Sequence, residues 1–270
     1  MPTGFTDDYT GERMRGITHL LERCYWPTYN YRKATSGAVR TATGGPRGKR
    51  AGLIRGSQVD AQICGFVNRG VAPDHPYAKK ILKALEVSGL TPVKVRRSDE
   101  ACICVNGTLT PAPPLCTQAQ IKVTDPTFGI GTGVDLVCTR KVGETKHTVI
   151  CELKCGFNRP GVYDMSSGPM KKSLGDLADS PRNQHQIQTV VTRALFMATF
   201  PEVSHVDACI VRVTDEGVHL HPVDRKLYGR ARAILETISL ARNRIGVKKV
   251  WTKKKKAVKP VRGGVAKKTR

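Results

Sequence analysis

Two apolar runs with charged residues inside them constrain the fold of this chain more than any other feature. Residues 134–139 and 147–154 are mostly apolar and flank a polar turn that contains Gly143. Such runs around a glycine-containing turn predict a β-hairpin in the sheet of an α/β domain. A surface hairpin with an ordinary Glu/Lys pair is the alternative, but strands this apolar are usually covered on both faces. The charged residues inside the runs therefore need a compensating partner.

The second run carries Glu152 and Lys154, and Asp135 lies in the first run. Because side chains alternate along a strand, Glu152 and Lys154 leave the same face about 7 Å apart. Placing these charges among apolar residues is costly unless a cation or a substrate phosphate compensates them. Two carboxylates and the carbonyl after the Glu offer the oxygen ligands that Mg²⁺ prefers. The lysine is placed to orient or deprotonate an attacking water.

An Asp, a variable gap and Glu-x-Lys together resemble the motif of the PD-(D/E)XK nuclease superfamily, with Val134 where the motif has proline. The similarity covers residues 55–213 and is greatest to the lambda-exonuclease and RecB-type group. In that group a helix before the sheet supplies a further acid or histidine, and Asp60 resembles this position. A later helix carries a Gln motif that ends in Tyr, and Gln188 followed by Thr192 is similar to it. A second possible register starts at Gln186 and ends on Val190.

The resemblance implies an α/β fold with a central mixed β-sheet flanked by helices, and a DNA nuclease that depends on Mg²⁺ or Mn²⁺. In this interpretation Asp135 and Glu152 bridge the metal and Asp60 adds a ligand. Lys154 positions the water, and Gln188 orients the site or the scissile phosphate. Six further residues are predicted to contact DNA through its phosphates: Arg55, Arg159, Lys171, Lys172, Arg182 and Gln184.

The charge of the chain predicts a polyanionic partner. The net charge is +23, and residues 247–270 contain 11 Lys and Arg residues and no acid. Cationic side chains that bind phosphates release counterions and give salt-dependent, largely sequence-independent affinity. The same charge supports an alternative, a DNA packaging or architectural protein that keeps a nuclease-like fold without turnover. The Thr at the motif's Tyr position and the missing histidine also favour that alternative.

Composition divides the chain into four parts. Residues 1–31 form a helical and aromatic segment, 32–54 a flexible basic loop, 55–246 the nuclease-like domain and 247–270 a disordered basic tail. Helices are predicted over 11–25, 55–70, 76–88, 182–199 and 224–245. Further strands are predicted over 92–96, 101–105, 120–123, 205–213 and 217–221. The irregular residues 156–181 are expected to form a substrate-contacting flap.

The remaining features limit where the protein acts. We expect no transmembrane helix and no secretory signal, because no apolar run is long enough. Nine cysteines without paired C-x-x-C spacing indicate a reducing, intracellular compartment. The basic tail is typical of a nuclear-localisation signal or a DNA tether. Tyr25, Trp26, Tyr29 and Tyr31 form either a packed corner or a platform for unpaired bases. The sequence leaves strand polarity, endonuclease or exonuclease action and oligomeric state open.

Overall fold

The computed structural model of the chain describes residues 4–6, 13–26, 49–96, 102–104, 121–156 and 161–250. Several predicted features lie outside these ranges. They are Tyr29, Tyr31, Arg159, most of the basic loop (32–48) and the tail from residue 251 onwards. Within the described ranges, no helix combines the length and the apolar composition that crossing a membrane requires.

A five-stranded mixed sheet forms the centre of the molecule. Its longest strand is β9 (Thr145–Cys155), which pairs antiparallel with β8 (Leu136–Val142) and parallel with β10 (Val206–Val213). The edge strands are β11 (Val218–Pro222), antiparallel to β10, and β3 (Thr91–Pro92), antiparallel to β8. Strands β8 and β9 are the predicted hairpin. Gly143 in its turn has φ +59°, a left-handed conformation that favours glycine.

Helices cover both faces of this sheet. They are α1 (Ile17–Tyr25), α2 (Lys49–Arg69), α3 (Pro76–Val87), α4 (Pro181–Thr199) and α5 (Ala231–Val250). One core lies between the sheet and α2 and α3, and the other lies between the sheet and α1, α4 and α5. The expectation of an α/β fold with a mixed central sheet flanked by helices is therefore confirmed.

A second sheet contains the strands that precede the hairpin. Its order is β1 (Gly4–Thr6), β2 (Arg13–Gly16), β7 (Ile130–Val134) and β6 (Ile121–Asp125). A separate antiparallel pair consists of β4 (Lys94–Arg96) and β5 (Cys102–Cys104). The predicted strand over 134–139 is thus wrong in one respect, because Val134 ends one sheet and Leu136 begins the other. Because the residues on both sides of Asp135 are apolar, the hydrophobic pattern of the sequence does not show this change of sheet.

Helix boundaries differ from the predicted ones in four places. Helix α1 begins at Ile17 and not at residue 11, because residues 13–16 form β2, and α5 begins at Ala231 after a 3-10 helix over Arg225–Arg230. Helix α4 begins as predicted at Pro181, where the hydroxyl of Ser180 accepts a hydrogen bond from the backbone N–H of Asn183. Helix α2 begins at Lys49, so residues 49–54 of the predicted loop are helical, because Lys, Arg, Ala and Leu are good helix formers. Helix α5 extends to Val250, four residues into the predicted tail.

The described part of the predicted flap, residues 161–180, is anchored by a few buried side chains, and its contact with substrate stays a prediction. Tyr163 is only 2% exposed, and Met170, Leu174 and Asp179 are also buried. The buried side chain of Tyr163 is not available to stack on a base. Tyr25 is likewise fully buried in the core, which supports the packed-corner interpretation for this residue.

Candidate active site

Strand β9 presents Glu152 and Lys154 on one face of the central sheet. Their neighbours Cys151 and Leu153 point into the opposite core, beneath α2 and α3, so alternation places the two charged residues on the α4 side. Glu152 is 3% exposed. The Nζ of Lys154 donates a hydrogen bond of 2.5 Å to Oε1 of Glu152. The predicted pair is therefore formed within the protein.

Asp135 lies beside this pair because of its position between the two sheets. Leu136 is the register partner of Cys151, and continuing that register places Asp135 opposite Glu152. The backbone N–H of Leu153 donates to Oδ2 of Asp135 at 2.9 Å. Asp135, the residue before β8 begins, thus binds the backbone of β9 through its side chain.

Gln188 reaches the acids from α4. Its Nε2 donates to Oε1 of Glu152 at 2.6 Å, so this oxygen accepts from both Lys154 and Gln188. Gln186 instead donates to Asn183, and its Oε1 accepts from the backbone N–H of Asp224. Of the two possible registers, the one that starts at Gln188 is the one that the structure brings to the site.

The electrostatics of the site show crowded negative charge. Burial and the charge of Glu152 raise the pKa of Asp135 well above its ordinary value. Burial also raises the pKa of Asp60 in α2 to about 6, against the opposing effect of Lys154 and with a further contribution from Glu152. Burial lowers the pKa of Lys154, but Glu152, Asp135 and Asp60 together outweigh it, and its pKa is raised. Asp60 therefore shares the electrostatic environment of the other predicted site residues.

Sequence reasoning missed His185, one turn before Gln188 on α4. Burial and the charge of Lys154 hold the pKa of His185 well below its ordinary value, so its imidazole is neutral at pH 7. Its Nδ1 lies 3.1 Å from the hydroxyl of Tyr163, and its ring packs against that of Tyr163 with centroids 5.6 Å apart. The i, i+3 spacing from Gln188 is the sequence signal that could have identified this residue.

The donor set fits an oxygen-liganded cation only in part. Across the described ranges, no three or more His, Cys, Asp or Glu side chains are grouped closely enough to enclose a metal ion. Mg²⁺, however, keeps several waters and is commonly bound by one or two carboxylates together with substrate phosphates. Asp135 and Glu152, which are adjacent, have the chemistry for such a site.

The predicted phosphate contacts separate into two groups. Arg55 lies on α2, the helix that also carries Asp60 and packs against β9. The others that the structure describes lie on the segment before α4 and in its first turn. Lys171 donates its backbone N–H to Tyr25, and the Nζ of Lys172 lies 5.7 Å from the Tyr25 ring.

The two predicted contacts at the start of α4 bind neighbouring acids. The side chain of Gln184 donates to the buried Asp179 at 2.8 Å, and Arg182 pairs with Asp164 at 3.3 Å. The side chains of Lys172, Arg182 and Gln184 thus lie against Tyr25, Asp164 and Asp179. Binding of DNA by these residues and by Lys171 stays a prediction.

The two histidines of β11 belong to a ring cluster. His219 and His221 share one strand face, with ring centroids 6.1 Å apart. The rings of His221 and Tyr163 lie 5.4 Å apart, and the guanidinium carbon of Arg212 lies 4.7 Å from the centre of the Tyr163 ring. These histidines thus pack among aromatic rings and an arginine.

Comparisons with known proteins leave this geometry as the main guide to function. No family model matches the chain, and no curated protein sequence matches it.

Proposed function

We propose that the protein is a divalent-metal-dependent DNA nuclease with a PD-(D/E)XK core, which hydrolyses phosphodiester bonds. The observation that carries the proposal is the convergence of Glu152 and Lys154 from β9, Gln188 from α4 and Asp135 from the bend between β7 and β8. Burying two acids costs free energy, and a protein that only binds a polyanion gains nothing from acids that face its partner. Metal-dependent hydrolysis of a phosphodiester would use both acids as metal ligands.

The residues of the site have distinct roles in this proposal. Asp135 and Glu152 would hold Mg²⁺ or Mn²⁺, with Asp60 near enough to interact through its charge. When bound, the metal supplies Lewis-acid stabilisation of negative charge on the phosphodiester and lowers the pKa of a bound water. The charges of Glu152, Asp135 and Asp60 raise the pKa of Lys154 in the metal-free protein, and a cation bound by the acids would oppose that effect. Lys154 would orient or deprotonate the attacking water and stabilise negative charge on the phosphodiester.

Gln188 fixes the carboxylate of Glu152 in this arrangement. Its amide N–H holds one oxygen of Glu152, which limits rotation of the carboxylate and leaves the other oxygen to face a ligand. Hydrogen bonds of this kind to a metal-binding carboxylate typically affect affinity or activity by about 10- to 100-fold. The role of Gln188 is thus to position Glu152.

The DNA-binding part of the proposal rests on charge. The net charge of +23 predicts binding through the phosphate backbone. Contacts of this type carry no base information, so we propose cleavage that is largely independent of sequence.

The experiment that tests the proposal is cleavage of linear and circular, single- and double-stranded DNA with Mg²⁺, Mn²⁺ or EDTA. Glu152→Gln and Lys154→Ala are each expected to reduce metal-dependent cleavage by about 100- to 1,000-fold. The matched controls are Glu144→Gln and Lys146→Ala, at the exposed tip of the same hairpin, about 27 Å along β9 from Lys154. Cleavage that survives in both site variants, or that is lost equally in the controls, would contradict the proposed site.

A second candidate function is supported by one specific observation. One of the two carboxylate oxygens of Glu152, a proposed metal ligand, already accepts hydrogen bonds from both Lys154 and Gln188. This internal neutralisation is what a DNA packaging or architectural protein with a nuclease-like fold would need in order to bind DNA without metal. DNA binding by the intact protein, with no cleavage of any substrate in Mg²⁺ or Mn²⁺, would favour this candidate.

A further inference from the structure

Arg55, in the second turn of α2, is held in a fixed position by Tyr77 of α3. Its Nη1 donates to the Tyr77 hydroxyl at 3.4 Å, and its guanidinium carbon lies 5.6 Å from the centre of the tyrosine ring. Tyr77 is only 7% exposed. A guanidinium held on a buried ring has lost much of its conformational freedom before it meets a ligand, so binding an anion orders it little further.

Tyr77 is itself fixed by the turn between β10 and β11. Its hydroxyl donates a short hydrogen bond to Oδ1 of Asp215. Lys80, one turn later on α3, donates its Nζ to the backbone oxygen of Asp215 at 2.8 Å and lies 5.9 Å from the Tyr77 ring. Arg55 and Lys80 thus both lie near the Tyr77 ring, and Asp215 accepts hydrogen bonds from Tyr77 and Lys80.

Arg55 lies on the α2 side of the central sheet, opposite the face that carries Glu152 and Lys154, and its charge acts on the site at the end of β9. Val59, one turn further along α2, packs in the same core cluster as Leu153 of β9. The charges of Asp60, Arg55 and Lys154 all act on the thiol of Cys155, the last residue of β9, although burial has the largest effect on its pKa. Arg55 forms no ion pair with any residue that the structure describes. Its charge acts on the end of β9, while the carboxylate of Asp215 accepts a hydrogen bond from the Tyr77 hydroxyl to which Arg55 donates.

We infer that Arg55 binds a phosphate next to the one that is cleaved, and that Tyr77 and Asp215 are the positioning residues that hold it there. The inference rests on the proposed function, because it assigns a second phosphate of the same DNA strand to the same site. The ligand is a phosphodiester group, and the planar guanidinium matches its oxygens in a bidentate arrangement.

A purely structural role is the competing explanation for these contacts. In that case Arg55 and Tyr77 serve only to join α2 to α3. Loss of the Arg55 side chain would then lower the stability of the protein and leave the salt dependence of DNA binding unchanged. The number of phosphates contacted is what separates the two explanations, because only a phosphate contact contributes to that salt dependence.

The test is DNA binding by the full-length chain in EDTA, measured by fluorescence anisotropy of a fluorescein-labelled 20-base-pair duplex over a range of NaCl concentrations. Arg55→Ala is expected to reduce the slope of log K against log[salt] by about 0.9. Arg55→Lys is expected to keep the slope, because the charge remains, and to bind more weakly because the planar fork is lost. The control is Arg69→Ala, an equal change of charge in the exposed last turn of the same helix, which should leave the slope unchanged.

Tyr77→Phe tests the positioning role without removing the ring or the cation. Loss of the hydroxyl is expected to weaken DNA binding between about two- and tenfold, with a further rise in KM and little change in kcat for cleavage. Circular dichroism of each variant verifies that it is folded. Unchanged affinity in a folded Tyr77→Phe protein would overturn the positioning role.

The outcomes separate this inference from the proposed function. An unchanged slope in Arg55→Ala, an equal loss in Arg69→Ala, or an intact protein that binds no DNA would overturn the inference. Metal-dependent cleavage could still be present in the first two cases, and the nuclease proposal would stand. A reduced slope in Arg55→Ala, in a protein that cuts no substrate, would support the phosphate contact and refute the nuclease proposal.

Discussion

Replacing Asp60 with Asn is expected to make the protein more stable at neutral pH when no divalent metal is present. The environment of Asp60 raises the pKa of its carboxyl from 3.8 to about 6. The folded protein therefore binds more protons than the unfolded chain between these pH values, and the free energy of unfolding falls as pH rises through this window. Asparagine carries no charge and avoids this loss.

The magnitude follows from the size of the shift. A change of one pKa unit corresponds to about 1.4 kcal/mol, so the shift at Asp60 sets an upper limit of about 3 kcal/mol. Asp60 is only partly buried, and solvent screening reduces the effect, so we expect Asp60→Asn to gain about 1 to 2 kcal/mol at pH 7.5. Most of this gain should disappear at pH 4.0, where the carboxyl is largely protonated in the folded protein.

Urea unfolding in EDTA, followed by tryptophan fluorescence, measures the effect because Trp26 packs against the core. Asp74→Asn, in the exposed loop before α3, is the control for loss of one negative charge. Adding about 10 mM Mg²⁺ should then stabilise the unmutated protein by about 1.4 kcal/mol if the site has a Kd of about 1 mM, and stabilise Asp60→Asn less. Equal or lower stability of Asp60→Asn at pH 7.5 would refute the view that burial, with a smaller contribution from Glu152, raises the pKa of Asp60.

Three further predictions test other parts of the description. Gln188→Ala should slow cleavage by about 10- to 100-fold, and Gln186→Ala should have little effect because Gln186 binds Asn183; the opposite order in a cleavage assay would assign the motif to Gln186. Removal of residues 251–270 should weaken DNA binding and flatten its salt dependence while metal-dependent stabilisation persists, and an unchanged slope in a binding titration would exclude a tether. Gly143→Ala should lower the free energy of unfolding by about 1 to 2 kcal/mol, because φ at this turn is +59°; thermal denaturation showing no loss would contradict the strained turn.

The parts of the site that share one hairpin were predictable from sequence. Alternation along β9 was enough to place Glu152 and Lys154 on one face, because that rule depends only on neighbouring residues. The glutamine required a choice between two registers, and only the packing of α4 on the sheet directs Gln188, and not Gln186, at Glu152. Helical periodicity alone leaves that rotation undetermined.

The contacts that sequence reasoning missed join segments far apart in the chain. Tyr163 meets His185 from an irregular segment without periodicity, and Tyr77 meets Asp215 across 138 positions. Nothing local marks either pair. The break at Asp135 was hidden for a different reason, since both sheets bury apolar residues on either side of it. Such features depend on tertiary packing. The hydrophobic patterns of the sequence, which repeat every two residues in strands and every three to four in helices, carry no information about it.

Asp135 also connects the two sheets, because the chain leaves one sheet immediately before this residue and enters the other immediately after it. The first sheet includes β2, which pairs with β7 through Arg15 and Gly16 near the start of the chain. Displacement of that early strand would pull on β7 and alter the angle at which Asp135 meets Glu152. We therefore expect the alignment of the two acids to depend on the pairing of β2 with β7, the strand that ends one residue before Asp135.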